Sequence, residues 1–132
     1  SNQSEIQIIG LGLAEEFVDA FISDSTPEPP QPGYAPQGET GFLQVLKKHQ
    51  ALPLHGESLG FEPLCSELGL LSHSWLCNHL EVYFAEVHQI KVNEHGLIAD
   101  FETAKRCCKI IEQDEIQAEP GLWLPWCLVR YE

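Results

Sequence analysis

Hydrophobic and polar positions along the chain follow two periods, one typical of strands and one typical of helices. β-Branched and apolar residues, bounded by Gly10 and Gly12, predict a short strand over Glu5 to Leu11 (EIQIIGL). Apolar residues then recur at helical spacing from Leu13 to Phe21, with Glu15, Glu16 and Asp19 between them. Acids at the start of a helix suit its positive end, so this pattern predicts an amphipathic helix directly after the strand.

Two later segments carry the clearest helical periods. The longer predicted helix begins at Ser72 or Ser74 and ends at His88, with an apolar stripe made of Leu76, Leu80, Tyr83, Phe84 and Val87. A second helix follows Asp100, which is expected to cap it. Its apolar stripe comprises Ala104, Cys107, Cys108 and Ile111. Glu102 and Arg106 are spaced for an ion pair on its surface.

The remaining segments predict a small α+β domain. Residues 41–49 have the spacing of a short helix, and residues 89–98 that of a short strand and a turn with Gly96 at positive φ. Pro63 makes residues 60–68 an edge strand or an irregular segment. The apolar stretch 122–132 predicts a final strand. We therefore expect a single α+β domain over residues 1–132, with about four helices packed on a modest, mostly antiparallel sheet.

A proline-rich stretch interrupts this pattern at residues 24–40 (DSTPEPPQPGYAPQGET), which hold five of the nine prolines. Proline has no N–H for a helix or a sheet, so the stretch predicts a long extended loop. Loops of this length inside a compact domain are usually functional or disordered. Tyr34 is the residue expected to anchor it to the body of the domain.

The charge distribution restricts the classes of partner. The net charge is −13, and the first 46 residues contain seven acids and no Lys or Arg. Nucleic acids and anionic membranes need clustered cations, so we expect neither as a partner. An acidic surface is either simply solvated or steers the chain toward a basic protein.

Five cysteines without a CxxC motif indicate reduced thiols rather than a disulfide framework. The sequence given shows neither a secretory signal nor an apolar run long enough for a membrane span. We expect a cytoplasmic domain. We also expect no cofactor, because GLGLAE (10–15) lacks the third glycine of a dinucleotide-binding loop.

The stretch HSWLCNH (73–79) is the main candidate for chemistry. On one helix, His73 and Cys77 would share a face, and a thiol near a helix start with a histidine one turn away is a possible nucleophile with its base. His79 would lie on a different face of that helix from Cys77. A structural zinc site needs four ligands that converge on the metal, so no metal is expected here. A packed first-turn cysteine is the simpler interpretation.

Aromatic residues suggest a binding face instead. Trp75, Trp123, Trp126 and Tyr34, together with His79, are the candidate binding residues, although core packing accounts for at least two of the tryptophans. The favoured hypothesis is a non-catalytic protein-binding module, an inhibitor or immunity-type factor for a basic partner. One alternative is a small enzyme or ligand-binding domain that uses His73, Cys77 and His79. Another is a subunit of a larger assembly. The sequence indicates no oligomeric state.

Overall fold

The computed structural model describes residues 6–25, 56–67, 70–113, 116 and 118–131. Four strands and three α-helices lie in these ranges. The elements in chain order are β1 (Ile8–Gly12), α1 (Glu15–Ser25), β2 (Glu57–Glu67), β3 (Leu70–Ser74), a 3₁₀ helix (Trp75–Asn78), α2 (Leu80–His88), α3 (Phe101–Ile111) and β4 (Leu122–Tyr131). The α+β class is confirmed. The predicted helix at 41–49 and residues 26–40 of the predicted proline-rich loop lie outside the described residues, whereas Asp24 and Ser25 belong to α1.

All four strands form one antiparallel sheet in the order β1-β4-β2-β3. β4 lies inside the sheet: it pairs with β1 from Ile8↔Tyr131 to Gly12↔Cys127 and with β2 from Glu57↔Arg130 to Ser66↔Leu122. The strands at the two ends of the described chain are therefore neighbours, and β1 and β3 are the edges.

The prediction of an edge strand around Pro63 is wrong, because β2 is an interior strand flanked by β4 and β3. Pro63 is paired with Pro125 of β4, and both prolines are buried. Pro63 lies just beyond the last β3 pair, at Leu64, and Pro125 lies beyond the last β1 pair, at Cys127. Neither proline has a flanking strand on its outer side, so its missing N–H removes no hydrogen bond from an outer ladder.

Alternating side chains give the sheet two packed faces. The pair Cys65↔Trp123 lies on one face and contributes to a core cluster with residues of α2 and α3. The pair Leu64↔Leu124 lies on the other face, in a second cluster with Trp126 and with Phe21 of α1. The helices thus cover opposite faces of the sheet, α1 on one side and α2 with α3 on the other.

α3 confirms its sequence pattern. The Asp100 carboxylate accepts a hydrogen bond from the Thr103 backbone N–H at 2.8 Å, which caps the helix. The four residues of the predicted stripe, Ala104, Cys107, Cys108 and Ile111, are all buried. The predicted ion pair is different: Glu102 lies 3.8 Å from Lys105 rather than against Arg106.

The predicted helix from Ser72 or Ser74 to His88 is wrong in its first half. Those residues form the end of β3 and a 3₁₀ turn, and the α-helix begins only at Leu80. His79 has φ 56° and ψ 30°, a left-handed conformation that breaks the helical path. Leu76 is consequently exposed, although the continuous period placed it in the core with Leu80.

Residues 93–98, before α3, form a loop held by the Asn93 side chain rather than the predicted strand, and we call this loop the clamp. Only an isolated bridge joins Ile98 to Phe61. The Asn93 side chain donates to the Leu59 carbonyl at 2.8 Å and accepts from the backbone N–H groups of His95 and Leu97. Gly96 has φ +75°, as predicted. These bonds fix the clamp against the bulged region of β2 near Gly60.

Candidate functional site

The stretch HSWLCNH is divided among three elements. His73 belongs to β3, where it is paired with Cys65 of β2. The Ser74 hydroxyl accepts a hydrogen bond from the Leu76 backbone N–H at 3.0 Å and caps the 3₁₀ turn that carries Cys77. His79 ends this turn and precedes α2. No continuous helix aligns these side chains, so the face that His73 and Cys77 were expected to share does not exist.

The environments of the three candidates also differ. His73 is half-buried, and its Nδ1 has no hydrogen-bond partner among the described residues. Cys77 and His79 are exposed. Glu62 of β2 is half-buried, and burial raises the pKa of its carboxyl, while a hydrogen bond from Ser74 acts in the opposite direction. Two surface grooves of the protein are lined by other residues, at 88–106 and 111–123. Within the described ranges, no three His, Cys, Asp or Glu residues are grouped to hold a metal.

Thiol exposure gives a direct test of the candidate nucleophile. Iodoacetamide at pH 8 is expected to modify Cys77 first, because it is exposed while Cys65, Cys107 and Cys108 are buried. Burial also raises the pKa of the Cys107 thiol to about 11, which suppresses its reactive thiolate. Peptide mass spectrometry would follow the order of modification, with the protein in urea as the control in which all five thiols react. A buried thiol that reacts before Cys77 would contradict this assignment.

The three tryptophans named as binding candidates lie in the core. Trp75 is fully buried, and Trp123 and Trp126 expose 2% and 1% of their surface. Trp126 packs edge-on against Phe21, with ring centroids 5.3 Å apart. Their aromatic surface is therefore used for packing within the domain. Tyr34 lies outside the described residues.

A different feature, the apolar edge strand β1, was not singled out from the sequence. Ile8, Ile9 and Leu11 are all exposed, and Ile6 just before the strand exposes 84% of its surface. Ile8 and Ile9 point to opposite faces, so the edge is apolar on both sides. Edge strands are normally protected by charge, proline or a bulge, and the β1 sequence IIGLG has none of these. Two consecutive isoleucines signal a strand buried on both faces, but only the topology shows that this strand is an edge.

Acidic side chains follow β1 directly. α1 begins three residues after the strand ends and exposes Glu15, Glu16 and Asp19. Of these three, Glu16 accepts a charged hydrogen bond from Lys105 at 3.1 Å, and Glu15 and Asp19 have no cation within salt-bridge distance in the described part of the chain. Among the described residues no strand pairs with the outer side of β1, so the edge combines apolar side chains with the acids that follow it in the chain. We call Ile6, β1 and the first turns of α1 the acidic edge.

Comparison with family models, with curated proteins and with solved structures finds no match to this chain.

Proposed function

We propose that the protein is a non-catalytic binding module that docks a basic protein partner at the acidic edge, as an inhibitor or immunity-type factor does. The observation that carries this proposal is the exposed apolar edge strand β1, which is followed in the chain by the acidic start of α1. A strand of the partner would extend the sheet beyond β1, in the manner of β-strand addition.

The energetics of such docking follow from two sources. The outer backbone groups of an edge strand are unpaired hydrogen-bond donors and acceptors, and a partner strand satisfies them. Burying an exposed isoleucine or leucine contributes about 1.5 to 3 kcal/mol when burial is complete. With Ile6, Ile8, Ile9 and Leu11 all accessible, the side chains supply affinity and the backbone supplies alignment.

Charge selects a basic partner over a second copy of this chain. Two copies that pair through β1 would bring two acidic flanks together, in a protein with a net charge of −13. Like charges at an interface disfavour association, whereas a basic partner is attracted and its encounter is accelerated.

The proposed location is the cytoplasm. All five cysteines are free, which is the usual state of thiols in a reducing compartment. No helix within the described ranges is long and apolar enough to cross a membrane.

Replacing Ile8 by lysine is expected to weaken partner binding by more than about tenfold, because lysine on an edge strand opposes strand addition and the lost contact is a central one. Ile8 exposes 68% of its surface, so the change leaves the fold intact. Val87→Lys is the matched control: it adds the same charge at a 54% exposed aliphatic position on α2. The partner would be captured from cytoplasmic lysate, identified by mass spectrometry, and its Kd measured by calorimetry for both variants at low and at physiological salt.

These measurements distinguish a basic protein partner from a second copy of this chain at the acidic edge. Loss of affinity in Ile8→Lys alone, with weaker binding at higher salt, supports the proposal. Equal loss in both variants, or binding that salt does not change, contradicts it. Self-association of the protein that Ile8→Lys abolishes would assign the edge to a second copy and exclude the basic partner.

A further inference from the structure

A groove of about 280 Å³ lies between the end of α2 and the first half of α3. Its lining includes the apolar side chains of Ile90 and Ile98, both buried. Lys91 and Arg106 line it as well and are exposed, and His88 and Thr103 complete the walls. Six of the nine lining residues are polar or charged, a composition that suits a ligand with a charged group.

Neither cation of the groove forms an ion pair with another described residue. The described residues include five Lys and Arg side chains. Lys105 and Arg130 form ion pairs with Glu16 and Glu57. Lys91, Arg106 and Lys109 have no carboxylate within salt-bridge distance in the described part of the molecule, and of these three only Lys91 and Arg106 line the groove. In a chain with 20 acids and seven basic residues, the convergence of two unpaired cations on one groove indicates an anionic ligand.

One acidic residue lies in the same groove, and its hydrogen bonds are already committed. The Asp100 Oδ2 accepts from the Thr103 backbone N–H at 2.8 Å and from its hydroxyl at 2.7 Å. The helix N-terminus is therefore capped by this side chain and is not the feature on which the inference rests. Two cations and one carboxylate leave the groove with a net charge of +1 when His88 is neutral.

Hydrogen bonds fix the backbone of two wall segments, at Ile90 and at Ile98. The Ile90 N–H donates to the Phe84 carbonyl at 3.0 Å, and Gln89 adopts the left-handed conformation that ends α2. Ile98 exchanges two backbone hydrogen bonds with Phe61 of β2. A preformed site loses little conformational entropy when a ligand binds.

We propose that this groove binds a small organic anion, with a phosphate or carboxylate group held by Lys91 and Arg106 and an apolar portion against Ala99, which is exposed. The guanidinium of Arg106 offers paired donors that match either group, and Lys91 adds a point charge. Ala99 offers an apolar contact that an inorganic anion cannot use. This site is separate from the acidic edge, and it can be tested without the protein partner.

Titrations followed by amide chemical shifts would use four probes at constant ionic strength: phenyl phosphate, benzoate, inorganic phosphate and benzyl alcohol. Phenyl phosphate or benzoate is expected to shift the amide resonances of residues 88–91 and 98–106. The probe that binds more tightly shows whether the groove prefers a phosphate or a carboxylate ligand. Inorganic phosphate should bind more weakly and benzyl alcohol not at all. Absence of localised shifts with both organic anions, or equal binding of benzyl alcohol, would overturn the proposal.

Variants locate the site. Arg106→Gln and Lys91→Gln are each expected to weaken binding of the organic anion by about tenfold, the usual effect of losing one charged hydrogen bond. Lys109→Gln is the matched control, since Lys109 is also exposed on α3 but lies outside the groove. Its effect should stay below about twofold, as expected for the general charge alone. Equal weakening in Lys109→Gln and Arg106→Gln would assign the binding to net charge and refute the site.

Discussion

Replacing Gly60 by alanine is expected to lower the free energy of unfolding by about 3 kcal/mol, because it combines backbone strain with overpacking. Gly60 has φ +133°, a region that residues with a Cβ avoid. A Cβ at this position would lie 2.8 Å from the Leu97 Cβ and 3.0 Å from the Ile98 carbonyl oxygen. Both neighbours belong to the clamp that Asn93 holds against β2, so they cannot move without breaking its hydrogen bonds.

Gly96→Ala provides the control for backbone strain alone. Gly96 also has positive φ, at +75°, but a Cβ there meets nothing within 4 Å. Its expected cost is about 1 kcal/mol, the ordinary penalty of a left-handed alanine. Urea denaturation of the unmodified protein, Gly60→Ala and Gly96→Ala would measure the loss in free energy of unfolding for each variant. An unchanged m-value would indicate that only stability differs. Equal costs for the two variants would show that the clamp yields to the added methyl group.

Trp123→Phe is expected to cost about 2 to 3 kcal/mol of stability, roughly half from the smaller ring and half from a lost hydrogen bond. The Trp123 indole N–H donates to the Glu119 carbonyl at 2.9 Å, which ties the turn before β4 to the core. Trp75→Phe is the matched comparison, since the Trp75 indole N–H has no partner among the described residues. Removing an unpaired buried donor offsets part of the packing loss, so its expected cost is within about 1 kcal/mol.

Equilibrium urea unfolding, followed by far-ultraviolet circular dichroism, would compare these two variants without relying on tryptophan fluorescence. A larger cost for Trp75→Phe than for Trp123→Phe would contradict the hydrogen-bond assignment. The same proteins test the role of the tryptophans in recognition. Because Trp75 and Trp123 are core residues, partner affinity should change little in either variant once the protein is folded.

Local signals in the sequence predicted the elements in which one physical rule dominates. α3 has a capping aspartate and a four-residue apolar stripe, and both were confirmed. β1, α1 and β4 were also placed within a few residues of their actual bounds. These segments follow from burial period and capping, which depend on neighbours in sequence.

The errors arose where tertiary pairing overrides the local pattern. The period from Leu76 to Val87 is helical, yet pairing of His73 and Ser74 with β2 makes their segment a strand and moves the helix start to Leu80. Pro63 is tolerated in an interior strand only because Pro125 is its partner and the flanking strands have ended. Neither condition is visible in a local stretch of sequence.

The candidate site shows the same limitation. Side-chain types drew attention to tryptophan, histidine and cysteine, whereas the structure buries the tryptophans and distributes His73, Cys77 and His79 over three elements. The acidic edge depends on the position of β1 in the strand order, and the groove proposed to bind an anion depends on two segments, 88–91 and 98–106, that meet in space. The charge pattern gave only the expectation of a basic partner, which remains a prediction.

The position of β4 inside the sheet also determines when the protein can fold. β1 and β2 each pair with β4, the last of the described strands in chain order, so this sheet cannot close until residues 122–131 have been synthesised. Pairing between residues 8 and 131 requires the closure of a very long loop, and such contacts slow folding. Until then β1 emerges from the ribosome as an unpaired apolar segment, open to aggregation and to chaperones. The strand proposed to receive a partner in the folded protein is thus the segment most in need of protection during its synthesis.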